Sequence, residues 1–330
     1  MVACLLVVGL ISPTTAPTVA APPDDSLAES TAAPETRVLV ISVDGLNPAA
    51  LRRLGARGSP HFHRLMAEGA FTLNARAQVE ETTTLSNHTS MVTGRRIDRA
   101  HGGHGVIWNA HRRGTTVQKA AGHHVGSIFS VLHKAGMGVA MFAMKTRFTL
   151  FDRSWPGIDR VTIMDDQDGP LTNAVRADLI QHRRALTFLH LGGVDKAGHD
   201  DGFMSRAYLA AVRRMDHKLG MILGAIDGHE ELDDLTIVLT ADHGGQGPDH
   251  ENPKKLVNFR VPFLVWGPGV AHDDLYDLNP AYQDPGRRRV GFGGKQPIRN
   301  GDVANFAAYL LGLGAVPNSL WGAGQQLRVS

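Results

Sequence analysis

Cysteine is almost absent from this chain of 330 residues: the single one is Cys4. That excludes a disulfide framework and any cysteine-built zinc site. Charge of one sign is also missing, since 34 Lys and Arg face 32 Asp and Glu for a formal net charge of +2. Such a balance gives no general electrostatic case for nucleic acid or for an anionic membrane surface. Aromatic residues make up only 6%, and no apolar run reaches the roughly 20 residues of a membrane-spanning helix. The longest candidate, "MVACLLVVGLI", is followed by small residues at Thr18-Val19-Ala20-Ala21. Residues 1–21 therefore read as an export signal without the usual basic start, so the expected location is secreted or periplasmic. Cleavage there would remove Cys4.

What is plentiful is histidine, at 17 residues, together with a 42% hydrophobic content that can fill one large core. Residues 22–36, "PPDDSLAESTAAPET", have little to bury and read as a flexible linker. From Arg37 to Ser330 a single domain is expected, in which apolar runs of strand length alternate with amphipathic segments. The strand candidates are Val38–Val43, Val139–Met144, Leu186–Leu191, Leu235–Ala241 and Val261–Trp266. Their near-continuous apolar character marks strands covered on both faces.

Between them, Ser59-Pro60 opens a helix that should stop near Gly69. Tyr208, Leu209, Val212, Met215, Leu219, Ile222 and Leu223 form one core-facing helical stripe, and a last helix is expected over 302–313. The stretch 270–300 reads as loop, with the basic spot "GRRR" at 286–289 a solvated one. This alternation predicts a three-layer α/β/α sandwich around a mostly parallel sheet, with ligands bound beyond the carboxyl ends of the strands.

Acids fall at those ends. Asp44 closes "VLVISVDG", Asp195 closes "LTFLHLGGVD" and Asp242 closes "LTIVLTAD". Three carboxylates on one edge would raise one another's pKa unless a cation neutralised them. His199, His243 and His250 lie close by in sequence. Aspartate with imidazole and without thiolate suits zinc, with manganese or iron as substitutes. Asp195-x-x-x-His199 puts both side chains on one face if it is helical, and Gly198 leaves a turn equally open. The segment "ETTTLSNHTSMVTG", 81–94, supplies hydroxyl nucleophiles.

Taken in order, "ISVDG", "TTLSNHTSMVTG", "HGVIWN", "GGVDKAGH" and "TADHGG" resemble the alkaline phosphatase superfamily. Within it, the motifs look most like the type I phosphodiesterase/nucleotide pyrophosphatase group. The resemblance implies two zinc ions and a hydroxyl that attacks phosphorus, with Thr84 as nucleophile from the alignment of T-x-x-N-H. It further implies one metal on Asp44, Thr84, Asp242 and His243, and another on Asp195, His199 and a further histidine. Asn109 would hydrogen-bond a non-bridging phosphoryl oxygen. The substrate would be a small phosphate ester.

The pattern also departs from that group. Leu85-Ser86 replaces Phe-Pro, Asn109 lies farther from Thr84 than usual, and no histidine follows His272. His250 is therefore the expected last ligand. Lys145 and Arg147 read as solvated loop charges, with Lys145 the candidate to reach substrate. With no arginine beside Thr84, diesters are expected to be preferred to dianionic monoesters. The competing readings are a phosphomonoesterase, a phosphoethanolamine-type transferase on the same site, and a metal-binding module without catalysis. A sulfatase is disfavoured because no Cys or Ser stands in the modification motif.

Overall fold

Beyond the first three residues, the computed structural model describes residues 36–330. The proposed signal segment and linker therefore lie, apart from Met1–Ala3 and Thr36, outside the described residues. Seven strands form one sheet: β1 Arg37–Val43, β2 Ala70–Arg76, β3 Val139–Ala143, β4 Arg160–Ile163, β5 Leu186–Leu191, β6 Leu235–Thr240 and β7 Arg260–Trp266. Their order across the sheet is β2-β7-β6-β1-β5-β3-β4. Each expected apolar run is a strand, within a residue at either end.

The strands β6, β1, β5, β3 and β4 pair in parallel. β7 runs antiparallel to β6, and β2 antiparallel to β7, so β2 points the same way as the parallel set. That double reversal brings the end of β2, and the chain that follows it, to the edge where β1, β5 and β6 also end. β1, β3, β5 and β6 are buried along their whole length, consistent with cover on both faces.

The helical stripe on Arg206–Asp227 is buried as expected, and the last helix spans Val303–Leu310, shorter than 302–313. Helix Pro60–Glu68 starts after Ser59 and ends at Gly69, but no side-chain cap bond forms there. The Ser59 hydroxyl instead donates back to the Gly55 carbonyl, where it cannot serve its own helix. Among the described residues no helix is long and apolar enough to cross a membrane.

Candidate active site

Three neighbouring parallel strands deliver the acids. Asp44 follows β1 directly, Asp242 comes two residues after β6, and both are fully buried. Asp195 does not close a strand as expected. β5 stops at Leu191, and Asp195 stands in the first turn of the helix Gly193–Asp201 with His199 one turn later. The two-glycine break after Leu191 starts a helix, and a helix puts positions i and i+4 on one face. His199 Nε2 accordingly lies 3.4 Å from Asp195 Oδ1.

Asp195, His199 and His250 form one group able to hold a metal ion, and Asp44, Asp195 and His243 form a second. Ring tautomers fit that role. His243 Nδ1 donates to the Gly244 carbonyl at 2.9 Å, and His250 Nδ1 donates to the Thr82 carbonyl at 2.6 Å. Each ring thereby turns its Nε2 towards the cluster. The carboxylates are arranged the same way. Asp242 Oδ1 accepts from the amides of Gly45 and His243, while its Oδ2 has no hydrogen-bond partner. Asp44 Oδ1, Asp195 Oδ1 and His243 Nε2 are likewise buried without a partner. His243 Nε2 is 3.3 Å from Asp44 Oδ1 and 3.2 Å from Asp242 Oδ2. Buried polar atoms rarely stay unpaired, so four that converge in this way could hold a cation.

The crowding of carboxylates sets the electrostatics of the cluster. Burial would raise the Asp44 pKa, but Lys145, His190 and His243 overrule it and hold it well below the carboxylate range. Burial and the Asp44 charge push Asp242 well above that range. The His243 ring, against the opposing effect of burial, is raised to about 9 by Asp242, Asp44 and Asp195. His250, buried and facing His243, is pushed down to about 2. The His250 ring is thus neutral, as a metal ligand must be, whereas the three carboxylates favour a proton on His243 that a cation there would displace.

Lys145 is not a solvated loop charge. Its Nζ lies 2.6 Å from Asp44 Oδ2 and 2.7 Å from Asp195 Oδ2, the carboxylate oxygens opposite the unpartnered ones. β3 neighbours β5, so the residues after it reach the same edge. Burial opposes the ammonium charge, but Asp44 and Asp195 outweigh it and raise the Lys145 pKa.

Thr84 opens the helix Thr84–Thr93 as its first residue, with Thr83 in the N-cap position. The end of β2 and the loop behind it bring this N-terminus, with its positive dipole end, to the cluster, where the Thr82 carbonyl meets His250. Asn109 Oδ1 accepts from the Leu85 amide at 3.0 Å, which occupies its carbonyl and leaves its amide hydrogens free beside Thr84. Thus Thr84, Asn109, Lys145, Asp44, Asp195, His199, Asp242, His243 and His250 share one strand-end edge. His272 is exposed in the loop after β7. Gly244 and Gly245 serve a close approach. A Cβ on Gly244 would lie 2.2 Å from the Val257 carbonyl oxygen, and one on Gly245 would lie 2.3 Å from the Phe203 ring.

Two histidines escape the sequence reading. His190, on β5, donates from Nε2 to Asp44 Oδ2 at 2.9 Å, its Nδ1 accepting from the Met144 amide at 3.3 Å. His88 Nδ1 donates to the Thr84 carbonyl at 2.8 Å, and its Nε2 accepts from the Ser42 hydroxyl at 2.7 Å. A histidine inside the apolar run "LTFLHL" is the available clue, because a buried polar side chain needs a partner.

Fold and site together define an alkaline phosphatase-like α/β protein. The sequence profile of the type I phosphodiesterase/nucleotide pyrophosphatase family matches residues 38–260, more than half of the chain. The chain belongs to that family.

Among curated proteins, it is 30% identical over 155 residues to GPI ethanolamine phosphate transferase 1 of Chaetomium globosum, covering 45% of this chain and 16% of that protein. The protein of the same name from Aspergillus fumigatus is 32% identical over 145 residues, covering 43% of this chain and 14% of the relative. The match thus spans about a sixth of the length of these relatives. Among solved structures, an inactive variant of murine ectonucleotide pyrophosphatase/phosphodiesterase 5 in complex with AMP superposes with a TM-score of 0.62 at 16% identity, covering 88% of this chain and 99% of the other. The human counterpart gives 0.60 at 16% identity, covering 88% and 100%. These structural likenesses establish the fold.

Proposed function

We propose that the protein is a metal-dependent phosphodiesterase in which the Thr84 hydroxyl is the nucleophile. The observation that carries this reading is the set of unpartnered atoms Asp44 Oδ1, Asp195 Oδ1, Asp242 Oδ2 and His243 Nε2, converging beside the N-terminus that begins at Thr84. Asp44, Asp242, His243 and Thr84 would hold one zinc ion, and Asp195, His199 and His250 a second, with manganese or iron as substitutes. Bound there, divalent ions lower the pKa of a coordinated hydroxyl and neutralise phosphoryl charge.

The chain's own residues do the rest. Thr84 Oγ attacks phosphorus and loses its proton to solvent, and the P–O bond to the leaving alcohol breaks, that oxygen taking a proton from water. The free amide hydrogens of Asn109 and the positive dipole end of the helix Thr84–Thr93 face the phosphoryl oxygens, where negative charge builds up. A water molecule then attacks phosphorus of the phosphate diester left on Thr84 and gives up a proton, the P–Oγ bond breaks with Oγ taking a proton, and the remaining phosphate monoester leaves.

A second reading shares the first half of this sequence. The curated relatives bear the name of an ethanolamine phosphate transferase, which favours an alcohol rather than water as the final acceptor. The proposed location is extracytoplasmic, on the strength of the N-terminal apolar run, and N-terminal sequencing of exported protein beginning near Ala21 or Pro22 would test it.

The function is tested by assaying bis-p-nitrophenyl phosphate and p-nitrophenyl phosphate with and without an added alcohol, alongside elemental analysis. The expected protein carries two zinc ions, loses activity to a chelator and prefers the diester. Thr84→Ala should cost at least about 10³-fold in kcat with the fold intact, while Thr82→Ala and Thr83→Ala stay far milder. Full activity with one metal, or an active Thr84→Ala protein, would overturn the reading. A product ratio that shifts towards the alkyl phosphate ester as alcohol is added would favour the transferase.

A further inference from the structure

The helix Gly193–Asp201, which carries Asp195 and His199, has no local cap: it opens on Gly192-Gly193, and no side chain at the N-cap position bonds its amides. First-turn amides left without partners inside a protein are costly. Here the partner comes from elsewhere. Asp168, the first residue of the helix Asp168–Gln181, accepts from the Gly192 amide at 3.1 Å and from the Gly193 amide at 3.0 Å, one carboxylate oxygen to each. The approach is so close that a Cβ on Gly193 would lie 2.4 Å from Asp168 Oδ2. On the other side of the same turn, a Cβ on Gly192 would meet the Met144 sulfur at 3.2 Å and the Lys145 Cε at 3.3 Å. The Gly-Gly turn is thus clamped between Asp168 and the residues at the end of β3. Burial raises the Asp168 pKa, and the Gly192 amide and Lys218 act against that.

A helix held at its first turn by two fixed bonds has little freedom to rotate about its axis. Asp195 stands two residues beyond Gly193 and His199 four further on, so any rotation would swing both away from His250 and Asp44. We propose that Asp168 is a positioning residue for the metal site built from Asp195, His199 and His250, setting the rotation of their helix through the Gly192 and Gly193 amides. The inference rests on reading those three residues as metal ligands.

A matched control exists in the same molecule. Asp216 accepts from the His61 and Phe62 amides at 2.9 and 2.8 Å, at the start of the helix Pro60–Glu68, which carries none of the ligands. Metal-depleted full-length protein would be titrated with zinc against a chromophoric chelator, with thermal unfolding measured in parallel. Asp168→Ala should weaken one of the two zinc equivalents by about tenfold or more, the range known for partners of metal ligands. Gly193→Ala, which pushes the carboxylate away, should do the same, and Asp168→Asn should lose less because it keeps one acceptor. Asp216→Ala should lower the melting temperature and leave both zinc affinities as in the wild type. Asp168→Ala and Gly193→Ala proteins that titrate like the wild type, or an Asp216→Ala protein that loses zinc equally, would overturn the proposal. A wild-type protein that takes up no zinc would instead sink the metal reading beneath it.

Discussion

Replacing Lys145 with methionine removes one positive charge and little volume, and so isolates what its ammonium does. In the structure that ammonium makes two contacts, at 2.6 Å to Asp44 and 2.7 Å to Asp195, whose side chains are 0% and 4% exposed against 16% for the lysine. Taking one partner from a buried ion pair typically costs about 3–5 kcal/mol. The low end applies, because His190 still donates to Asp44 and the lysine is partly open to solvent. For a domain of this size about 3 kcal/mol corresponds to a fall of about 5 °C in melting temperature. That fall is expected in chelated protein. Adding zinc should recover most of it, since divalent charge on the other carboxylate oxygens replaces what the lysine supplied.

The same variant decides whether Lys145 reads substrate. Two of its three N–H groups are consumed by carboxylates, so only one remains for a phosphoryl oxygen. Lys145→Met should therefore lower kcat/KM for a diester and its matching monoester together, to within about threefold of each other. Calorimetry with and without a chelator, and paired kinetics on the two esters, supply the measurements. A monoester-selective loss of about a hundredfold would place the ammonium on the substrate and refute the diester preference. An unchanged melting temperature in chelated protein would refute the charge argument itself.

His250→Ala should remove one zinc equivalent and most activity, because its ring is buried with Nε2 3.8 Å from Asp195 Oδ1, whereas the exposed His272→Ala should change neither; elemental analysis and the diester assay check both. His104 is buried with its pKa pushed down to about 3 by burial, its Nδ1 accepting from the Val106 amide and its Nε2 facing the Ser90 hydroxyl. Its folded pKa lies below the unfolded value of 6.5, so the stability it contributes is complete above pH 6.5 and is lost as pH falls towards 3. Between pH 6.5 and 5 this amounts to about 2 kcal/mol. Urea midpoints for His104→Gln should fall less steeply over that interval than those of the wild type, and equal slopes would refute the assignment.

Legibility in the sequence follows burial. The five apolar runs read as strands because a strand covered on both faces must be apolar throughout. β2, "AFTLNAR", and β4, "RVTI", do not stand out: both are edge strands with half-buried positions, so their apolar content carries no such signature. Asp195 reads as a strand end because Gly192-Gly193 suits a continuing turn equally well. The turn starts a helix whose opening amide at Gly192 is met by the carboxylate of Asp168, 24 residues away along the chain. Lys145 reads as solvated because nothing next to it in sequence is acidic. Its partners, Asp44 and Asp195, stand 101 and 50 residues away.

By itself the sequence determined the chemistry available: aspartates, histidines and a threonine in ordered motifs, no thiolate, and strands that must lie side by side. Those are local properties of composition and period, which a linear chain carries openly. The tertiary structure decided which atoms face which. The parallel order β6-β1-β5-β3 sets Asp242, Asp44, Asp195 and Lys145 along one edge, and the reversal through β7 and β2 returns Thr84 to it. The tautomers of His243 and His250, the pairing of Lys145 and the cap from Asp168 all depend on contacts between distant segments. Such contacts exist only once the sheet order has been chosen by packing.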